Sequence, residues 1–132
     1  MRLRVLVIAA LGFLGACSNS SGASQEDINI AIRHSAFRPE ELTVEEGTTV
    51  TFVIKNTDPI DHEFILGDEE VQRIHELGTE AHHGAKPGEV SIPAGAERTT
   101  TYTFDDGGTL IYGCHLPGHY DYGMRGTVTV SS

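Results

Sequence analysis

The segment Tyr112-Gly113-Cys114-His115-Leu116-Pro117-Gly118-His119-Tyr120-Asp121-Tyr122-Gly123-Met124-Arg125-Gly126 decides how the rest of the chain is read. Within it Cys114, His119 and Met124 stand at intervals of five residues. On a strand, positions five apart face opposite sides and lie about 16 Å apart. On a helix they are separated by about 140° around the axis. Neither geometry brings three such side chains to one point. A folded loop does, and Gly113, Pro117-Gly118, Gly123 and Gly126 supply its turns. A fourth donor must come from elsewhere. His62 lies between two strand-like runs, where a sheet would hold it opposite the loop.

The donor types narrow the chemistry. A thiolate with a thioether is a soft set, and imidazole suits copper. Two His and one Cys in a plane with a weak axial Met is the blue-copper arrangement. Zinc would accept the Cys and two His but leaves Met124 without a role. A Cys–His nucleophile would need a third, orienting group, and none stands out. A purely structural reading makes Cys114 a buried thiol and Met124 core filler. His115 follows Cys114 directly, so if Cys114 points into a site, His115 points away from it and is not a ligand.

Outward from the loop, short apolar runs alternate with turn signals. Ile28, Ile30 and Ile32, then Leu42-Thr43-Val44, then Val50, Phe52 and Ile54 have the period of half-buried strands. Glu63 to Leu66, Val90-Ser91-Ile92, Arg98 to Phe104, Thr109 to Tyr112 and Thr127 to Val130 continue the series. Glu45-Glu46-Gly47, Asn56-Thr57-Asp58-Pro59, Pro93-Ala94-Gly95-Ala96 and Asp105-Asp106-Gly107-Gly108 are turns. The pattern predicts an all-β Greek-key sandwich or barrel of about seven to eight strands. Residues 67–89 interrupt it. Val71, Ile74 and Leu77 are spaced by three and Asp68 can cap them, so a short helix is expected there. His75, His82 and His83 in this segment are either solvated surface histidines or a second, weaker copper site with Glu76 or Glu80 nearby. His34 reads as a surface strand residue.

The chain has 132 residues, enough for one domain. Nineteen acidic residues outnumber nine basic ones, for a formal charge of −10. That excludes a nucleic-acid binder and suits a surface that steers cationic partners. Two of the basic residues, Arg2 and Arg4, precede the apolar run Val5 to Ala16. This run is too short to span a bilayer, which takes about 20 residues. It ends Leu14-Gly15-Ala16-Cys17, which resembles the bacterial lipoprotein signal, where the Cys is lipidated. The alternative is an ordinary secretory signal with Cys17 free or paired. The organisation read from the sequence is a signal peptide over 1–16, a flexible tether over 17–26 and one domain over 27–132. With Cys17 lipidated, Cys114 has no disulfide partner in the chain, and a bound metal would protect its thiol from oxidation.

Residues Gly47 to Ser132 resemble the cupredoxins, the small blue copper proteins. The resemblance rests on His62 upstream, the Cys114…His119…Met124 loop, and Gly126-Thr127-Val128-Thr129-Val130 closing the chain. It implies one copper ion held by His62, Cys114, His119 and Met124. It also implies a carrier of single electrons rather than an enzyme. Such a carrier would be a monomer on the extracytoplasmic, periplasmic side, anchored to a bacterial membrane through lipid on Cys17. Its partners would be redox proteins such as a cytochrome or a copper oxidase or reductase. His119 would be the electron port, ringed by Leu116, Pro117, Tyr120 and Tyr122. Two departures stand out. Glu63 occupies the place where plastocyanin-like members carry an Asn that ties the two ligand loops together. The loop reads Cys-His-x-Pro-Gly-His, as in cupredoxins associated with copper handling, so copper tolerance, storage or delivery is the alternative role.

Overall fold

The structure, a computed structural model, describes residues 24–84 and 86–132. The proposed signal peptide, Cys17 and most of the tether therefore lie outside the described residues. Among the described residues, nine strands and one helix form in the order β1 (Gln25–Ile32), β2 (Phe37–Arg38), β3 (Glu41–Glu45), β4 (Thr48–Asn56), β5 (His62–Gly67), α1 (Glu69–Leu77), β6 (Glu89–Ile92), β7 (Glu97–Phe104), β8 (Gly108–Gly113) and β9 (Arg125–Ser131). One more strand appears than the upper count expected, and the two-residue β2 accounts for it.

The strands make a β-sandwich. One sheet has the order β2-β1-β4-β7 and the other β3-β9-β8-β5-β6. Two pairings are parallel, β1 with β4 and β3 with β9, and join segments distant in sequence. Between the sheets, Val50, Phe52 and Ile54 of β4 project inward with no exposure at all. They meet Phe64 of β5 and Phe104 of β7, the Phe52–Phe64 and Phe52–Phe104 ring centroids lying 5.2 and 6.3 Å apart. Phe64 stacks on Tyr112 at 5.3 Å, and Phe37 meets both edge-on. The Tyr112 hydroxyl donates to the Pro39 carbonyl at 2.7 Å, which satisfies its polar end. These rings form the floor beneath the Cys114 loop.

β5 departs from alternation, because all six of its residues are buried. Its inner face carries His62, Phe64 and Leu66. Its outer face carries Glu63 and Ile65, roofed by α1 and the loop that follows. Asp68 caps α1 as the sequence implied, accepting the Val71 N–H at 2.9 Å. The inward face differs from the apolar pattern. Ile74 is 50% and Leu77 79% exposed, whereas Gln72 and His75 are buried. Gln72 wins this place by chemistry. Its amide donates to the Ile65 and Ile111 carbonyls at 3.1 and 2.9 Å, pinning the helix to two strands. His34 is exposed, as expected, but in the turn after β1 rather than within a strand.

Candidate metal centre

The β4–β5 connection places the first candidate ligand. Buried Asn56 donates to the carbonyls of Ile60, Ile92 and Pro93 and accepts the Asp58 N–H at 2.9 Å. This fixes Asp58, whose carboxylate is a hub. Its oxygens accept the His34 and Ser35 amides, each at 2.7 Å, and His62 Nε2–H at 3.0 Å. His34 and Ser35 have φ of 54° and 52°, left-handed values that turn two successive amides onto the carboxylate. Burial works to raise the Asp58 pKa, but these amides and His62 outweigh it and hold it below the ordinary carboxyl value. With Nε2 committed to Asp58, His62 turns Nδ1 toward the other donors.

The Cys114 loop stitches its candidate ligands to each other through the main chain. Cys114 N–H donates to the Met124 carbonyl at 3.1 Å, and Met124 N–H to the His119 carbonyl at 3.0 Å. Gly118 and Gly123, at φ of 82° and 94°, take the left-handed turns this closure needs. Met124 is 1% exposed and Cys114 is fully buried.

Three donor atoms then meet. Cys114 Sγ lies 3.2 Å from His119 Nδ1 and 4.0 Å from His62 Nδ1, and the two Nδ1 atoms are 3.2 Å apart. A point about 2 Å from all three exists at the centre of that triangle, the length of a metal–imidazole bond. The donor set and its spacing fit a soft to borderline metal ion. The sulfur is prepared for one. Burial pushes the Cys114 thiol up to about 11, against the pull of the Glu63 and Leu116 amides, so an incoming cation exchanges for a held proton. His62 is buried, whereas His119 remains partly open to solvent. Burial depresses the His119 pKa, assisted by the neighbouring His62. The sequence-derived set His62, Cys114 and His119 therefore converges, and the main chain binds Met124 into the same loop.

The family pattern of the Cupredoxin-like domain matches residues 5–130. The chain belongs to the cupredoxin-like family. Auracyanin-A of Chloroflexus aurantiacus is 32% identical over 159 aligned positions, covering 98% of each chain. The copper-resistant cuproprotein CopI of Rubrivivax gelatinosus is 37% identical over 97 residues. That match covers 71% of this chain and 59% of CopI, so the chain spans well under two thirds of that relative. Among solved structures, auracyanin A of C. aurantiacus, described as a "blue" copper protein, superposes with a TM-score of 0.64 at 27% identity. The superposition covers 82% of this cupredoxin and all of that chain.

The Glu63 departure has a structural answer. Its carboxylate accepts the His115 N–H at 2.9 Å, tying the His62 strand to the Cys114 loop, and its own N–H donates to Cys114 Sγ at 3.4 Å. His115 points to the outer layer, as its place beside Cys114 implies. Its Nε2–H donates to Gln72 Oε1 at 2.7 Å, and its ring stacks on Tyr120 at 4.4 Å. Burial lowers the His115 pKa to about 4, helped by the like charges of His75 and His83, so the ring is neutral at pH 7. Tyr120 is half-buried against the His115 ring, beside Leu116 and Pro117, while Tyr122 is 93% exposed.

The three histidines of the insertion separate. His82 is exposed. His75 is only 9% exposed and the His83 side chain 1%, so the solvated reading fails for both. Both approach Glu89, a residue the sequence did not single out. Asp58 was also missed as the His62 partner. Its signal was its place in a turn four residues before a candidate ligand.

Proposed function

We propose that this cupredoxin holds one copper ion through His62, Cys114, His119 and Met124 and passes single electrons between extracytoplasmic redox proteins, without transforming a substrate. The observation that carries the reading is the 3.2, 3.2 and 4.0 Å triangle of two imidazole nitrogens and one sulfur. Copper bound there supplies the Cu(II)/Cu(I) couple. The chain supplies rigidity. Asp58 fixes the His62 ring, the Glu63 amide and carboxylate brace Cys114 and the start of its loop, and the Met124 main chain closes that loop on Cys114 and His119. Donors held this way move little when the charge between them changes. His119, the donor open to solvent, is the route by which an electron enters and leaves. Leu116, Pro117 and Tyr122 on its loop offer a small, partly apolar face for brief encounters.

A second role, copper tolerance or delivery, is favoured by the resemblance to CopI, a protein named for copper resistance. Exchange separates the two. An electron carrier keeps its copper in both oxidation states, and a delivery protein gives it up to an acceptor on reduction. The primary test of the site is colour. Cu(II) added to the full chain should produce an intense visible band from Cys114 sulfur-to-copper charge transfer, and Cys114→Ser should abolish it. A band persisting in Cys114→Ser would overturn the ligand set.

A further inference from the structure

A second set of donors converges on the outer face of β5, on the side of the sheet opposite His62. His75 Nε2 and His83 Nδ1 lie 3.6 and 3.2 Å from the same Glu89 oxygen, Oε2. The ligand atoms of these three residues all fall within 4.8 Å of one another. A cavity of about 320 Å³ opens above them, lined also by Gly78, Glu80 and His82.

The hydrogen-bond network dictates what this convergence can hold. His75 Nδ1–H donates to the Val71 carbonyl at 2.8 Å, so Nε2 is the nitrogen the ring turns toward Glu89. The Thr79 hydroxyl stands 3.0 and 3.1 Å from the two Glu63 oxygens and gives its one proton to that carboxylate. The same hydroxyl oxygen, 2.9 Å from His83 Nε2, must then accept the Nε2–H. His83 therefore turns Nδ1 toward Glu89. Two imidazole nitrogens and a carboxylate oxygen thus face one another, and what can satisfy all three at once is a shared cation, a proton or a metal ion. The separations match the edge of about 3.3 Å of a tetrahedron with 2.0–2.1 Å metal–ligand bonds. Lys86 Nζ pairs with the other Glu89 oxygen, Oε1, at 2.7 Å and leaves Oε2 free.

We propose that His75, His83 and Glu89 form a second, thiolate-free site for a divalent borderline cation such as Zn²⁺ or Cu²⁺, with a fourth position open to the cavity. Two imidazoles and one carboxylate, with no sulfur, select divalent ions over Cu(I). The donated Nδ1–H of His75 and Nε2–H of His83 are the outer bonds that orient ligating imidazoles. Glu63 joins the two centres, because its carboxylate also lies 3.4 Å from His83 Nε2.

The test uses Zn²⁺, which is colourless and redox-inert, on the full chain already loaded with one equivalent of Cu(I), which is diamagnetic and which a thiolate-free site does not select. Imidazole nitrogen NMR follows the ring atoms by name. One equivalent of Zn²⁺ should shift His75 Nε2 and His83 Nδ1 and leave His82 unmoved. Calorimetry should show Glu89→Gln weakening Zn²⁺ at least tenfold, His82→Ala leaving it unchanged, and Lys86→Gln tightening it severalfold by freeing the carboxylate. Absence of shifts at His75 Nε2 and His83 Nδ1 in the parent chain overturns the proposal, and so does parent-like affinity in Glu89→Gln. Because the nitrogen signals belong to the outer site alone, failure of the copper reading at His62 would leave this result intact. A competing titration with Cu²⁺ that displaces Zn²⁺ from the same nitrogens would identify copper as the preferred ion.

Discussion

Asp58→Ala is the sharpest probe of how the fold serves the metal centre. The substitution removes one carboxylate and orphans three donors, the amides of His34 and Ser35 and the Nε2–H of His62. The first two lie on an exposed turn, where water can replace the lost acceptor, at a cost of about 0.5–1 kcal/mol each. The third belongs to a side chain with no solvent exposure, and an unpaired buried donor costs about 1–3 kcal/mol. The expected loss is therefore about 2–5 kcal/mol, large against a typical total of about 5–15 kcal/mol. Freed from its carboxylate, His62 can rotate or change tautomer, and copper affinity should fall about 10–100-fold. Urea unfolding of the metal-free chain measures the first effect, and competition against a copper chelator the second. The pH dependence has a definite sign. The folded-state pKa of Asp58 lies below its ordinary value near 4, so its stabilisation is complete above that value. It is lost as pH falls through the lowered pKa. The gap between parent and variant should hold at neutral pH and close in acid. A loss under about 0.5 kcal/mol at pH 7, or a gap that widens in acid, would refute the hub role of Asp58.

Three further outcomes are expected. Met124→Gln should keep the copper and its colour but lower the reduction potential, since an amide oxygen favours Cu(II) over a thioether; voltammetry showing no change would remove Met124 from the ligands. Because the Cys114 thiol is protonated at pH 7, with a pKa raised to about 11, Cu(II) uptake in unbuffered solution should release one proton per chain. A pH-stat reads this release directly, and uptake without it would mean the sulfur is not used. If Cys17 is lipidated as the Leu14-Gly15-Ala16-Cys17 signal predicts, Cys17→Ala should move the protein from the membrane to the soluble fraction of expressing cells, because two or three acyl chains give lasting attachment. Equal membrane content in both would place the anchor elsewhere.

The strands were legible because each carries its own alternation. Val50, Phe52 and Ile54 declare an inner face without help from the rest of the chain, and Asp68 declares a helix start. The Cys114 loop was legible because unusual donors and turn residues sit within one short segment. What could not be read depends on residues far apart in sequence meeting across the fold. The parallel pairings of β1 with β4 and β3 with β9 leave no local signature. Val71, Ile74 and Leu77 give α1 its period, and apolar residues normally take the inward face of a helix. Here the buried positions are Gln72 and His75, chosen by strand carbonyls and a carboxylate that lie outside the helix.

The same blindness hid the outer donor cluster, and one property of β5 explains both. Successive residues of a strand face opposite ways. Where the outer face is solvent, the residue after an inward ligand is free to be any polar type. In this chain α1 and the loop after it cover that face, so Glu63 is buried only because the insertion exists. A buried carboxylate must find donors, and Glu63 takes the His115 amide from the Cys114 loop and the Thr79 hydroxyl from the insertion. The bond between ligand loops that an Asn makes in plastocyanin-like proteins is thus made here by a carboxylate, and His83 Nε2 lies 3.4 Å from the same group. An insertion, a Glu in place of an Asn and a histidine-rich outer layer are three aspects of one structural change, with the inward donors on one side of a single strand and the outer cluster on the other.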